Sequence, residues 1–181
     1  MTITIPTWLT IFRIVTIPLM VASFYWDHPH SNIITTAVFV FGALTDWLDG
    51  WIARRFDMSS KFGAFLDPVA DKLAVVIALF IIVERHQTAY MALLAAVIVG
   101  REITISSLRE WMAQVGAHGL VKVAGLGKIK TIFQMVAISF LPLQENIFGL
   151  PIFLIGQILL SIAGALTLWS GWDYLRAAWP S

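Results

Sequence analysis

The chain has 181 residues, of which 59% are hydrophobic, only 13% are charged and none is cysteine. Soluble domains carry roughly 45–50% apolar and 25% charged residues, so this balance, with a mean hydropathy of +0.82, excludes a water-soluble globule and a disordered chain alike. The net charge of +1 excludes an electrostatic nucleic-acid binder, which needs a strongly basic surface, and the lack of cysteine excludes disulfides, thiolate zinc sites and thiol catalysis.

Charge-poor stretches predict an all-α polytopic membrane protein of six helices, near 7–26, 32–55, 63–84, 89–114, 127–144 and 150–174, given that a span needs about 20 mostly apolar residues. In the first, Arg13 is the only charge between Met1 and Trp26. No Lys or Arg precedes its apolar run and no small-residue cleavage site follows, so it reads as a helix and not as a signal peptide. The second is uncharged from His28 to Thr45 and then meets Asp46 and Asp49; the third carries Asp67 and Asp71 and is uncharged from Leu73 to Val83. The fourth is free of charge from His86 to Gly100 and then carries Arg101, Glu102, Arg109 and Glu110. The fifth opens on Lys128 and Lys130, and the last is uncharged from Asn146 to Trp172. Ser161 and Ala165, with Gly164 beside them, form a small-residue patch suited to close helix packing within the bundle or between copies. With no linker or repeat, residues 1–181 read as one bundle domain.

Six spans put both termini on one side. That side holds Arg54, Arg55, Lys61, Lys122, Lys128, Lys130 and Arg176, against Arg85 alone on the other. The positive-inside rule therefore makes it cytoplasmic. Trp26 and Tyr90 fit an outer aromatic belt, and Trp51, Trp111 and Trp172 an inner one.

Asp46 and Asp49 are three residues apart, Asp67 and Asp71 four apart, spacings that put each pair on one helical face. The short connection between their helices predicts antiparallel neighbours with both pairs at one depth. A mid-membrane Asp costs about 2.5–3.5 kcal/mol, and like charges add repulsion. A divalent cation removes both costs. Oxygen-only donors suit a hard ion such as Mg²⁺, Mn²⁺ or Ca²⁺, and four carboxylates on two helices suffice for two ions that clamp the attacking and leaving oxygens of phosphoryl transfer. Arg54 follows within two turns and suits bidentate contact with phosphate. Gly50, Ala53 and Gly63 allow close approach to the backbone. The competing reading is a salt-bridge belt with Arg54, Arg55, Lys61 and Lys72. Four carboxylates at helical spacing, interleaved with small residues and an arginine, favour the metal site.

Asp46-x2-Asp49-Gly50-x2-Ala53-Arg54-x8-Gly63-x3-Asp67-x3-Asp71 resembles the complete signature of the CDP-alcohol phosphotransferase family. The resemblance extends to members that use CDP-diacylglycerol and glycerol 3-phosphate, through Ile5-Pro6-Thr7, Leu9 to Arg13, Thr45 to Lys72, Arg101-Glu102-Ile103, Ser107 to Ala113 and Gly127 to Thr131. It implies a six-helix bundle in the bacterial cytoplasmic membrane, commonly a homodimer, with a polar cavity open to the cytoplasm. It further implies that Asp46, Asp49, Asp67 and Asp71 hold two divalent cations, Mg²⁺ or Mn²⁺, and that Gly50, Ala53, Arg54 and Gly63 line the CDP pocket. Asp71 would also be the general base, taking the proton of the sn-1 hydroxyl of glycerol 3-phosphate as that oxygen attacks the β-phosphorus and CMP leaves. Arg101, Arg109, Lys128 and Lys130 are candidates for the acceptor's phosphate, the two lysines aided by a helix N-terminus, while Glu102 and Glu110 compete as structural partners of the arginines.

Rival readings are the same chemistry with inositol phosphate, serine or phosphatidylglycerol as acceptor, a cation transporter, and a non-catalytic lipid-binding subunit. Against a transporter, the carboxylates gather at one level, with no comparable charge along the outer halves of the helices.

Overall fold

A computed structural model of the chain describes residues 4–56, 60–114, 125–144, 146 and 149–178. Its helices are α1 (Ile5–Phe24), α2 (Ser31–Phe56), α3 (Lys61–His86), α4 (Ala89–Gln114), α5 (Gly125–Phe140) and α6 (Ile152–Ala178). Local chemistry sets several of their ends. Pro6 stands in the first turn of α1, where its missing N–H costs nothing. Ser60 caps α3 by accepting a hydrogen bond from the Gly63 N–H at 2.9 Å. Gln87 closes α3 in the left-handed region, at φ 45°, and Thr88 accepts from the Met91 N–H to start α4.

Among the described residues, four helices contain segments long and apolar enough to cross a membrane: Pro6–Phe24, Ser31–Ala53, Ala89–Met112 and Ile152–Trp172. The other two fall short for separate reasons. Asp67, Asp71 and Lys72 interrupt α3, and α5 has only 16 residues. The core centres on α3 to α6, where Leu79, Ile82, Met91, Ile98, Ile138 and Leu160 are fully buried, with Leu141 just after α5, and it takes in Met20 of α1 and Phe39 of α2. Outward, Trp47, Phe65, Phe80, Leu93, Leu168 and Trp169 are exposed, an apolar surface far beyond what a soluble monomer presents. Trp26, Tyr90, Trp51, Trp111 and Trp172 are also exposed, as the belt positions require. The small-residue patch of α6 serves the bundle: Gly164 is buried against Leu94 of α4, and Ser161 meets Tyr90.

The neighbour relations of the first three helices differ from expectation. α2 and α3 meet only narrowly, whereas α1 packs broadly against both. The cause is a stripe on α1 in which Thr7, Thr10, Arg13, Thr16, Met20 and Ser23 are buried. These positions recur at three- and four-residue steps and so lie along one helical face. Small hydroxyl-bearing side chains let α1 approach its neighbours closely. Ser23 bonds Thr35 of α2 at 3.0 Å, and Thr7 bonds Ser60, the cap of α3, at 2.8 Å.

Candidate functional site

The two acidic pairs converge on α1. Arg13, only 2% exposed, directs Nη1 at Asp46 Oδ1, 2.6 Å away, and at Asp71 Oδ1, while Nη2 meets Asp49 Oδ2. The fourth carboxylate, Asp67, accepts a hydrogen bond from the Thr10 hydroxyl, one turn before Arg13 on the same face. All four aspartates thus gather at one end of the bundle, as their spacing predicts. Asp49 is buried, and Asp46, Asp67 and Asp71 are partly open.

Asp67 and Asp71 also border a cavity of about 310 Å³, walled by Lys72, Glu102, Arg109, Thr131 and Gln134 among others. Three helices bring these groups together: α3 supplies the aspartates and Lys72, α4 supplies Glu102 and Arg109, and α5 supplies Thr131 and Gln134. Of the cations expected to face an acceptor phosphate, Arg109 lines this cavity. Arg101 and Lys130 stand behind it, both held by Glu102, with Arg101 at 3.3 Å. Arg101 also donates to Ser170 of α6 at 2.9 Å. Glu102 therefore acts as the structural partner foreseen for one arginine, and it serves Lys130 as well.

Gly50 and Ala53 lie one and two turns beyond Asp46 on the same face of α2, both half-buried. Gly63 is buried against α1, where a Cβ would stand 2.8 Å from Thr7 Oγ1. Arg54 and Lys128 are on α2 and α5, and their side chains lie outside the described residues.

Divalent cations fit this site by the chemistry of the donor set. The donors are all hard oxygens, and four carboxylates against one guanidinium leave negative charge in excess. Among the described residues no three acidic or imidazole side chains enclose a common point as they stand; the guanidinium of Arg13 takes the focus of three of them. Three of the four carboxylates therefore share one partner, the guanidinium of Arg13, which is the resident cation of the cluster.

Spacing arguments about carboxylates alone leave out Arg13, Thr10, Lys72 and Gln134. The first two had a signal in the sequence. Thr7-x2-Thr10-x2-Arg13-x2-Thr16 is a polar stripe on an otherwise apolar helix, and an ionisable residue within a span marks a functional site by default.

Comparison with known proteins places this geometry in a family. Residues 3–169 match the family model described as CDP-alcohol phosphatidyltransferase. Among similar curated proteins is a CDP-diacylglycerol–glycerol-3-phosphate 3-phosphatidyltransferase of Yersinia enterocolitica, 47% identical over 99% of this chain and 97% of its own length. Enzymes of the same name from Yersinia pestis, 46% identical over the same shares, and Salmonella choleraesuis, 45% identical over 96% of this chain and 94% of that one, are similar too. A match over nearly the whole length, with every signature position filled and all four aspartates at one site, shows that the chain belongs to the CDP-alcohol phosphatidyltransferase family.

Proposed function

We propose that the chain transfers the phosphatidyl group of CDP-diacylglycerol to the sn-1 hydroxyl of glycerol 3-phosphate, giving phosphatidylglycerophosphate and CMP. The observation that carries this reading is the meeting of the two aspartate pairs beside a cavity whose wall also carries Lys72 and Arg109. The choice of acceptor is supported by the similarity of nearly the whole chain to transferases named for glycerol 3-phosphate. In this reading residues 1–181 form one domain of six spans in the bacterial cytoplasmic membrane. Its termini and cavity face the cytoplasm, and the working form is a homodimer.

Asp46, Asp49, Asp67 and Asp71 are the residues that would hold two divalent cations, Mg²⁺ or Mn²⁺, in a family generally dependent on such metals. Bound there, the cations would neutralise charge on the pyrophosphate oxygens. Gly50, Ala53, Arg54 and Gly63 contribute to the CDP pocket, with Arg54 countering the charge of the departing CMP. Arg109 takes the acceptor's phosphate from the cavity wall, and Arg101, Lys128 and Lys130 add positive charge near it. Asp71, at the boundary between the acid cluster and the cavity, receives the proton of the attacking hydroxyl. That oxygen bonds to the β-phosphorus, and the bond from phosphorus to the CMP oxygen breaks. Displacement of this kind rests on positioning and charge stabilisation.

The test is CMP release from CDP-diacylglycerol by detergent-purified protein, with and without glycerol 3-phosphate, in Mg²⁺ and in EDTA, beside Asp71→Asn. Release that needs both metal and glycerol 3-phosphate, and disappears in the folded variant, is expected. Release only with another alcohol would overturn the acceptor, and no release with any acceptor would overturn the enzyme.

A further inference from the structure

Gln134 stands on α5 one turn beyond Lys130, is 4% exposed, and forms part of the wall of the 310 Å³ cavity. Its Oε1 is buried and has no hydrogen-bond partner among the described residues. A buried amide oxygen without a donor carries a desolvation penalty that an apolar side chain of equal size avoids. Packing gives no reason to keep it, since Ala137 and Ile138, one turn further along the same helix, are buried and apolar. The other polar groups of the wall are the charged Asp67, Asp71, Lys72, Glu102 and Arg109, and one hydroxyl, Thr131. Cations suit a phosphate, and Asp71 is occupied with the reacting hydroxyl in the reading above. Beside the Thr131 hydroxyl, the wall offers one neutral acceptor that has no partner among the described residues, the Gln134 amide oxygen, and such an atom suits an uncharged O–H.

We propose that Gln134 is a specificity-determining residue whose side-chain oxygen accepts a hydrogen bond from the second, non-reacting hydroxyl of a glycerol phosphate acceptor. The contact selects a vicinal diol phosphate over simpler alcohol phosphates and fixes which carbon is presented to Asp71. A site that pairs with a substrate hydroxyl discriminates strongly against the analogue lacking it, because the site's own polar group is then left unsatisfied. An apolar wall discriminates weakly. This inference rests on glycerol 3-phosphate being the acceptor.

The test compares kcat/KM for glycerol 3-phosphate and for 3-hydroxypropyl phosphate, which lacks the middle hydroxyl, in the full-length protein and in Gln134→Met. The wild-type chain is expected to favour glycerol 3-phosphate by about 100-fold, the size of effect that leaving one buried acceptor unsatisfied produces. In Gln134→Met that preference falls to within about threefold of unity, because the loss is confined to glycerol 3-phosphate. A circular-dichroism melting curve in detergent reports whether the variant is folded. Equal losses with both acceptors would assign Gln134 a structural role and overturn the inference, as would an unchanged preference or a wild-type chain that does not discriminate. Should Gln134→Met fail to fold, Gln134→Asn, which withdraws the amide by one methylene, must still lower kcat/KM for glycerol 3-phosphate more than for the analogue. A wild-type chain that ignores glycerol 3-phosphate altogether would overturn the acceptor reading, and this inference with it; transfer with intact discrimination in the variants overturns this inference alone.

Discussion

Arg13 and Asp71 stand 58 residues apart in sequence and form an ion pair where α1 meets α3. The same guanidinium reaches Asp46 and Asp49 on α2, so one side chain of the first helix ties together the acidic residues of the next two. Arg13 and Asp49 are both buried, and removing one partner of a buried ion pair costs about 3–5 kcal/mol. Arg13→Gln should therefore lower the thermal midpoint in EDTA, and added Mg²⁺ should recover part of the loss by compensating the same carboxylates. Arg13→Lys should fall between. Melting curves in detergent with and without Mg²⁺ check this, and equal losses in both conditions would reduce Arg13 to a packing role.

Thr10 holds the fourth aspartate. Its hydroxyl is directed at Asp67, with the Pro6 carbonyl 3.0 Å away as an alternative acceptor. Thr10→Val keeps the shape and removes the donor, at a cost of about 1–3 kcal/mol in positioning. Activity should fall by about tenfold or more, with a higher Mg²⁺ half-saturation, while Thr10→Ser stays near wild type. A metal titration of activity across the three proteins reads this directly.

Gly63 leaves no room for a side chain. An added Cβ would lie 2.8 Å from Thr7 Oγ1 and 3.0 Å from Ser60 Oγ. Gly63→Ala should destabilise by about 1–3 kcal/mol through overpacking. The double variant with Thr7→Ala should regain much of that, since the nearer obstacle is gone. Lack of rescue would mean that the glycine is required for another reason, contact with the nucleotide being the first to test.

Glu102 is the counter-ion of Lys130, whose side chain is only 4% exposed, and also faces Arg101 at 3.3 Å. Glu102→Gln strands a buried ammonium and should cost about 3 kcal/mol or more. Combining it with Lys130→Met should restore over half of the loss, because the stranded charge is removed as well. A double-mutant cycle on thermal stability measures the coupling; additive effects would separate the two residues.

The helices and the acidic pairs were legible because their signals are local. Uninterrupted apolar runs give the spans, and three- and four-residue spacings put Asp46 with Asp49 and Asp67 with Asp71. Two features were not. α5 stops at Phe140, short of the predicted 144, because Leu141 and Pro142 turn the chain there and proline cannot continue a helix. The placing of α1 against both α2 and α3 depends on partners 36 and 58 residues away from Arg13, which no window on the sequence contains. A hydropathy average also dilutes one arginine among many apolar neighbours, although the threonines at three-residue steps around it record the face that α1 turns inward.

The ion pairs of Arg13 also impose an order on biogenesis. α1 carries a guanidinium whose counter-charges all lie later in the chain. Asp49 arrives 36 residues later and Asp71 another 22 after that, the difference between separations of 58 and 36. α1 is long and apolar enough to cross a membrane, but its arginine carries a cost of about 2.5–3.5 kcal/mol there until α2 brings the first carboxylates. The last of the three ion pairs waits for α3, so the charge cluster can tie α1, α2 and α3 together only once all three have been made.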